Sequence, residues 1–509
     1  MTLRIACIGG GPGGLFFSTL VKRYLPDAEV ELFERNQPDD VFGFGVVFSD
    51  ATLKGITETD PVLRDALAQE GKHWDSIEVH ARGQRYSFTG NGMSAIHRKA
   101  LLTRLQEQAR DVGVQLNFGT NIASLDELAG YDVVVAADGT NSQVRSQIGE
   151  ETLGHCVEEA SAKFIWFGTT HIFDGLTFLH RRSEHGNFAA HAYPISDALS
   201  TFIVETDEKT WRAAGLDEFD GKLGPGESDL KTKAYLEALF AEDLHGGEVV
   251  VNNSKWANFR TRKTAQWSHN NVVLLGDAIH TAHFSVGSGT KMAMEDAIVL
   301  AMQISDHPTD LATAFRRYQE IRQPQVEKVQ NAARPSLSWW EHFGRYHEAL
   351  DPLQFTFHFF TRSIDRAKIG KRDPELVAAI EHWWQSQHGH PPEDTTLSLG
   401  ATQFDSRLLS WNNGTITDGK TVVTPQEVAV ARIEAPTEES QLTSTFSSLP
   451  TSGAVLITGG TRLTRRLVAE EARLGRGLTA LLAEDEGEDS AVTAVLSGRA
   501  DAVVGGVSA

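Results

Sequence analysis

The chain has 509 residues, 40% of them hydrophobic, so it exceeds the roughly 100–200 residues of one domain and can bury a large core. Its formal net charge of −21 argues against nucleic acid or an anionic membrane surface as the main partner. The sequence has only two isolated cysteines, no apolar run near the ~18 residues of a membrane span, and no signal-peptide pattern. These observations together predict a cytoplasmic protein.

The first elements follow a strand–helix–strand order. "RIACIGG" (4–10) reads as a buried strand ending in glycine, and "GLFFSTLVKRYL" (14–25) has helical periodicity. "AEVELFER" (28–35) is a second strand, "RKALLTRLQEQARDVG" (98–113) an amphipathic helix, and "YDVVVAAD" (131–138) a further buried strand. This alternation predicts an α/β fold with a parallel, Rossmann-like sheet.

The middle of the chain has a different character. Segments 163–173, 187–194 and 199–206 are rich in aromatic and β-branched residues and predict a mainly antiparallel sheet. The strand–helix pattern then returns at "NVVLLGD" (271–277) and "MAMEDAIVLAMQI" (292–304).

These patterns predict five regions. They are a nucleotide-binding domain of residues 1–75, 95–155 and 265–320; an inserted substrate domain of 76–94 and 156–264; a helical segment, 321–390; an irregular linker, 391–452; and a small α/β module, 453–509.

The first strand ends in a nucleotide-binding pattern. Gly9-x-Gly11-x-x-Gly14, with Pro12 and Gly13 inside it, stands between a strand and a helix. Such glycines permit a tight turn and let a pyrophosphate approach the helix N-terminus. Glu34, twenty residues beyond Gly14, ends the next strand, where an acid can bind ribose hydroxyls. The pattern by itself leaves FAD and NAD open.

Two further strands end in paired glycine and acid. Asp138-Gly139 follows one, and Gly276-Asp277 opens "GDAIHTAHFSVGSGTK" after another. That stretch is not a Walker motif, because threonine precedes Lys291 where the motif needs lysine followed by serine or threonine. All three strand ends should meet at one edge of the sheet, whereas a single NAD would need only the first.

The combination of these three strand-end motifs resembles that of the single-component FAD-dependent aromatic hydroxylases of the p-hydroxybenzoate hydroxylase fold. The resemblance implies that Asp138-Gly139 lies near FAD and the nicotinamide path, that Asp277 binds ribityl or ribose hydroxyls, and that Arg98 lies near the phosphates. It also places "FGFGVVF" (42–48) and "FSVGSG" (284–289) beside the flavin ring. The implied FAD-binding residues are Gly9, Gly11, Pro12, Gly13, Gly14, Glu34, Arg35, Val47, Arg98, Asp138, Gly139, Gly276, Asp277, Val286, Gly287, Gly289 and Thr290.

Blocks at 41–50, 163–174, 191–205 and 276–290 are similar to one subfamily, that of salicylyl-CoA 5-hydroxylase and the monooxygenase half of anthraniloyl-CoA monooxygenase. The resemblance implies NAD(P)H- and O₂-dependent 5-hydroxylation of salicylyl-CoA to gentisyl-CoA through a flavin C4a-hydroperoxide. Phe284 and Lys291 depart from the proline and asparagine of the wider family. Residues 453–509 are too few for a second flavin barrel of roughly 250 residues.

Several assignments stay open in the sequence. The candidate bases for the substrate phenol are His191, Tyr193 and His283, and a hydrogen-bonded structural role is as plausible for each. His280 and His283 have no third ligand, so no metal is predicted. Basic residues that could contact CoA phosphates are Arg181, Arg182, Arg260, Arg262 and Lys263.

Anthraniloyl-CoA, free salicylate, or tryptophan or another indole are alternative substrates, and an FAD-dependent reductase without oxygen insertion is an alternative class. The choice between NADH and NADPH and the oligomeric state are not predicted.

Overall fold

The computed structural model describes residues 2–41, 43–219, 227–284 and 287–507. The predicted Val286 lies outside these residues. The contacts divide the chain into two units, the first comprising Met1–Ile77 with Asn91–Glu341 and the second Glu78–Gly90 with His342–Ala509.

The strands of the described residues are, in chain order, β1 Arg4–Ile8, β2 Glu29–Glu34, β3 Gly45–Ser49, β4 Lys72–Trp74, β5 Ile77–Ala81, β6 Gln84–Phe88, β7 Met93–His97, β8 Gln115–Phe118, β9 Val133–Ala136, β10 His155–Thr169, β11 Leu176–Ser183, β12 Gly186–Pro194, β13 Ser200–Thr206, β14 Val249–Val250, β15 Ala257–Thr264, β16 Ser268–His269, β17 Val272–Leu274, β18 Leu397–Leu399, β19 Thr402–Phe404, β20 Leu408–Asn412, β21 Thr415–Thr417, β22 Val422–Val423, β23 Val430–Ala435, β24 Ala454–Gly459, β25 Thr479–Ala483 and β26 Ala502–Gly505.

The α-helices are α1 Pro12–Tyr24, α2 Asp50–Thr59, α3 Val62–Glu70, α4 Arg98–Asp111, α5 Gln143–Ile148, α6 Glu150–Leu153, α7 Glu208–Ala213, α8 Leu230–Leu239, α9 Ala241–Leu244, α10 Gly289–Asp306, α11 Leu311–Ala349, α12 Pro352–Phe360, α13 Arg366–Gly370, α14 Pro374–His388, α15 Leu442–Ser448, α16 Arg462–Glu470 and α17 Glu488–Leu496. None of the helices described is long and apolar enough to cross a membrane.

A mainly parallel sheet forms the centre of the first unit, in the order β16-β17-β9-β1-β2-β8. Strands β1, β9 and β17 are neighbours and parallel, and their apolar residues are buried because the sheet is covered on both faces. Their carboxyl ends therefore lie side by side, and the Gly9, Asp138 and Gly276 loops leave from one edge of the sheet.

The second sheet of this unit has two unlike faces. Its strands follow the order β14-β10-β13-β12-β11, β15 also pairs with β10, and the neighbours are antiparallel. One face packs a core of Phe167, Phe202 and their neighbours against Leu236 and Phe240 of the α8 region. Side chains alternate along a strand, so the residues between these point to the opposite face. The predicted α/β class with an antiparallel insert is confirmed.

The predicted irregular linker at 391–452 is wrong, because this segment contains six strands and a helix. In the second unit, a seven-stranded sheet has the order β22-β21-β20-β26-β25-β24-β23. The module predicted at 453–509 therefore supplies only three of its seven strands. The sequence pattern missed the others because they are only two to six residues long.

Replacing Leu481 by alanine should lower the free energy of unfolding by about 2–5 kcal/mol, since its side chain is fully buried in the core of this sheet. Calorimetry of the full chain measures the change. Val422→Ala in the same sheet is the control, because Val422 is 61% exposed. Equal losses for the two variants would contradict this account of the core.

Candidate functional site

The Gly9–Gly14 turn is tightly packed on its protein side and open at Gly11. Gly9 has a φ of +113°, and a Cβ there would overlap the carbonyl oxygen of Ala137. A Cβ on Gly14 would overlap the carbonyl oxygen of Gly9. At Gly11, which has the extended conformation of a helix N-cap, a Cβ would meet no atom within 4 Å. The open position is the one where a bound group can approach the backbone.

Glu34 is fixed against this turn. Its Oε2 accepts a hydrogen bond from the Gly10 N–H at 2.7 Å, and its Oε1 accepts from the backbone and side chain of Asn36, both at 2.8 Å. Cavities of about 150 and 230 Å³ adjoin the turn. They are lined by eight of the predicted residues, namely Gly9, Gly11, Pro12, Glu34, Arg35, Arg98, Asp138 and Gly139.

The Gly276-Asp277 loop is held by a buried acid on helix α10. Asp296 accepts the Gly276 N–H at 3.1 Å and lies 2.8 Å from both Nε2 of His280 and Nε of Arg322. Burial opposes the ionisation of Asp296, but His280 and Arg322 outweigh it and hold its pKa below the usual range. The loop that presents Asp277 is thus anchored by an ionised carboxylate.

Asp277 and Arg98 both line the main cavity, and their opposite charges attract each other. Burial raises the pKa of Asp277, and His280 and Arg98 partly offset this effect. Burial likewise lowers the pKa of Arg98, against the attraction of Asp277. Arg98 begins α4 and lines both the main cavity and the smaller one beside Gly11. It therefore links the nucleotide turn to the larger space.

The main cavity, about 640 Å³, is lined by loops at the carboxyl edge of the parallel sheet, by strands β3 and β7, and by the antiparallel sheet. One wall carries six predicted flavin-binding residues, namely Val47, Arg98, Asp277, Gly287, Gly289 and Thr290. The other is the second face of the antiparallel sheet, with Phe164, Trp166, Phe178, His191, Tyr193 and Ile203. Gly13, Gly14 and Gly276 lie behind these walls, where the chain packs closely.

His191 touches a buried acid that sequence reasoning missed. Its Nε2 lies 2.7 Å from Oε1 of Glu205, and Nε2 of His283 lies 3.7 Å from the other carboxylate oxygen. Glu205 is 1% exposed. The ring of Phe284 stacks on His283 with centroids 4.3 Å apart and also lines the cavity. Two of the three predicted bases thus share one carboxylate.

Tyr193, the third candidate base, also lies on the cavity wall. Burial raises its pKa to about 12. At neutral pH the phenol therefore keeps its proton and can donate a hydrogen bond but not accept a proton.

The five predicted basic residues separate into two groups. Arg181 is held in a bidentate contact with Asp243 at 2.7 and 2.9 Å, Lys263 contacts Glu158 at 2.8 Å, and neither these two nor Arg182 lines the cavity. Arg260 and Arg262 do line it. Arg260 is exposed and contacts Glu159 at 2.7 Å, whereas Arg262 is 8% exposed and has no ion pair with any residue that the structure describes.

The similarity of this chain to known proteins shows which family it belongs to. The "FAD binding domain" family matches residues 129–333. The chain is 51% identical to salicyloyl-CoA 5-hydroxylase from a Streptomyces species, over 99% of this chain and 100% of that protein. It is 34% identical to 3-hydroxy-4-methyl-anthranilyl-[aryl-carrier protein] 5-monooxygenase of Streptosporangium sibiricum, over 66% of this chain and 89% of that protein.

Among solved structures, 2-methyl-3-hydroxypyridine-5-carboxylic acid oxygenase aligns with a TM-score of 0.53 at 18% identity, over 70% of this chain and 98% of that one. This likeness shows the shared fold. The chain belongs to the FAD-dependent aromatic hydroxylases. The resemblance inferred from the three strand ends is confirmed, and this hydroxylase is a flavin-dependent monooxygenase that uses FAD, NAD(P)H and O₂.

The residues present in this hydroxylase fit FAD. Besides the open position at Gly11, Oδ1 of Asp138 and Oγ of Ser288 are buried and have no hydrogen-bond partner among the described residues. Both atoms lie in residues that line the cavities where the cofactor is expected. The described residues contain no cluster of three or more His, Cys, Asp or Glu side chains that could hold a metal ion.

Sequence reasoning missed Asp296, Arg322 and Glu205. Asp296 stands in the apolar helix "MAMEDAIVL" and Glu205 in the apolar strand "STFIVET". An acid inside a buried apolar run is itself a signal, because ionised groups are rarely buried without a partner.

Replacing Gly11 by alanine should leave the apoprotein folded as before and weaken FAD binding at least about tenfold, since the added methyl group fills the open position. Gly14→Ala is the matched comparison and should lower the melting temperature of the apoprotein, because its Cβ overlaps the Gly9 carbonyl. Flavin fluorescence titration and thermal melts measure the two effects. Unchanged FAD affinity in Gly11→Ala would refute the assignment of this position.

Proposed function

We propose that this hydroxylase adds one oxygen atom from O₂ to the ring of an aryl-CoA thioester, salicyloyl-CoA, at the 5-position. One observation carries the proposal: a single cavity joins the wall of predicted flavin ligands to an aromatic wall that bears His191. Support for this substrate comes from the relative that is 51% identical over its whole length and is named for it.

The FAD assignments form part of the proposal. The Gly9–Gly14 turn and Glu34 would hold the adenosine and pyrophosphate side, Arg98, Asp138 and Asp277 the middle of the cofactor, and Val47 and Gly287–Thr290 the ring. Bound FAD supplies reduction by NAD(P)H and the activation of O₂. The protein positions the substrate ring beside it and excludes water.

The aromatic wall suits a flat, electron-rich ring. Trp166, Phe178 and Ile203 offer apolar surface on one sheet face, and such surface keeps water from the reacting ring. His191, at the same wall, can accept the phenol proton, while Tyr193 keeps its own proton and can donate a hydrogen bond. Loss of the phenol proton raises the electron density at the ring carbons ortho and para to the oxygen. The 5-position of salicyloyl-CoA is para to its hydroxyl group.

Arg260 and Arg262 are the cations proposed to attract the CoA moiety. Both line the cavity, and Arg262 lacks an ion pair within the described part of the chain. The other three predicted cations, Arg181, Arg182 and Lys263, do not line the cavity. Arg181 contacts Asp243, and Lys263 contacts Glu158.

The purified protein should bind FAD and convert salicyloyl-CoA to a product one oxygen atom heavier, with NAD(P)H and O₂ consumed in equal amounts. Parallel reactions with anthraniloyl-CoA, salicylate and tryptophan define the substrate, and mass spectrometry with ¹⁸O₂ identifies the source of oxygen. NAD(P)H oxidation that yields no oxygenated product from any of the four would overturn the proposal in favour of a reductase.

Arg260→Ala should raise the KM for salicyloyl-CoA several-fold and leave the rate of NAD(P)H oxidation without substrate unchanged, because one cation at the cavity is lost. Lys263→Ala is the control, since Lys263 contacts Glu158 and does not line the cavity. Steady-state kinetics at low ionic strength measures both. Equal KM values for the two variants would remove Arg260 from the CoA site.

A further inference from the structure

Glu205 is a buried carboxyl group on the cavity side of the antiparallel sheet. Along β13, Thr201, Ile203 and Glu205 share one face, and Ile203 lines the cavity. His191 of β12 pairs with Ile203 in register, so Glu205 lies one pleat further along, behind the histidine. Glu205 is 1% exposed and His191 is 3% exposed.

Both carboxylate oxygens of Glu205 face imidazole rings. Oε1 lies 2.7 Å from Nε2 of His191, and Oε2 lies 3.7 Å from Nε2 of His283. The ring of Trp340 covers His191 with centroids 4.3 Å apart, which restrains the imidazole between the indole and the carboxylate. A buried acid–imidazole contact is not explained by stability, because an apolar pair of the same volume would stabilise the fold as well or better. Its position directly behind a cavity-lining histidine indicates a role in the reaction.

We propose that Glu205 is the positioning residue for proton transfer from the substrate, its carboxylate stabilising the positive charge that His191 acquires when it accepts the proton of the substrate phenol. This inference rests on the proposed function, since it needs a phenolic substrate. The phenol O–H bond breaks and an N–H bond forms on the imidazole of His191, which leaves a phenolate and an imidazolium. Glu205 stays ionised beside that imidazolium, and no oxidant or reductant takes part in the step.

The ionisation of Glu205 should then control the reaction near neutral pH. Burial raises the pKa of Glu205 to about 7; His283 opposes the rise and Glu341 of α11 adds to it. The titratable groups facing Glu205 are thus His191 on β12, His283 on the loop after β17, and Glu341. Only the ionised form of Glu205 stabilises the imidazolium, so hydroxylation should become faster as the pH rises through about 7.

Glu205→Gln should lower kcat for salicyloyl-CoA hydroxylation by about 100-fold and abolish the rise of kcat with pH, while FAD content and KM stay near wild type. Glu205→Asp should restore part of the rate and of the pH dependence. Glu208→Gln, the same change at an exposed glutamate three residues along, is the matched control and should leave kcat and its pH profile unchanged. An unaltered kcat and pH profile in Glu205→Gln would overturn the proposal.

Glu341→Gln gives a second, milder test that also applies if Glu205→Gln fails to fold. Removing this neighbouring acid lowers the pKa of Glu205, so the rise of kcat should move to lower pH. A profile that does not move would count against Glu205 as the titrating group.

Failure of the proposed function can be told apart from failure of this inference. If the wild type hydroxylates none of the tested substrates, the proposed function is wrong. Infrared difference spectroscopy of the resting enzyme then reports the carboxyl band of Glu205 directly. A band that titrates near neutral pH in the wild type and vanishes in Glu205→Gln supports the acid–imidazole assignment, and a band unaffected by the substitution refutes it.

Discussion

The site depends on one buried carboxylate, that of Asp296. It binds the backbone of Gly276, the ring of His280 and the guanidinium of Arg322, and so ties the loop after β17 to two helices. An ionised group without water is stable only where each oxygen has a charged or N–H partner, and here each has one. Asp277 can be held in a low-polarity cavity because the residue before it is fixed in this way.

The parallel sheet brings the three loops of the site together at one edge. β1, β9 and β17 are parallel neighbours, so three loops that are far apart in sequence start within about 10 Å of one another. Ligand sites of open α/β sheets lie at the carboxyl ends of their strands for this reason. The antiparallel sheet then adds an apolar wall opposite, where the substrate ring is proposed to lie.

Local motifs allowed the fold class, the family and the cofactor to be predicted. Glycine spacing and the Gly-Asp pair are short-range signals, because each acts on the loop that contains it. Asp296, Arg322 and Glu205 could not be assigned in this way, since their partners are 16 to 26 residues away or on another strand. Strands β20–β23 were missed because such short strands are recognisable only from the strands they pair with.

The position of β26 in the second unit bears on how this unit forms during synthesis. Leu408 on β20 pairs with Val503 on β26, a separation of 95 residues, and β25 pairs with the other edge of β26. Until β26 leaves the ribosome, β20–β22 and β23–β25 are two separate ribbons, each with an open edge that invites pairing with other chains. The sheet is therefore completed in one late step, and protection of nascent chains against aggregation matters most just before that step.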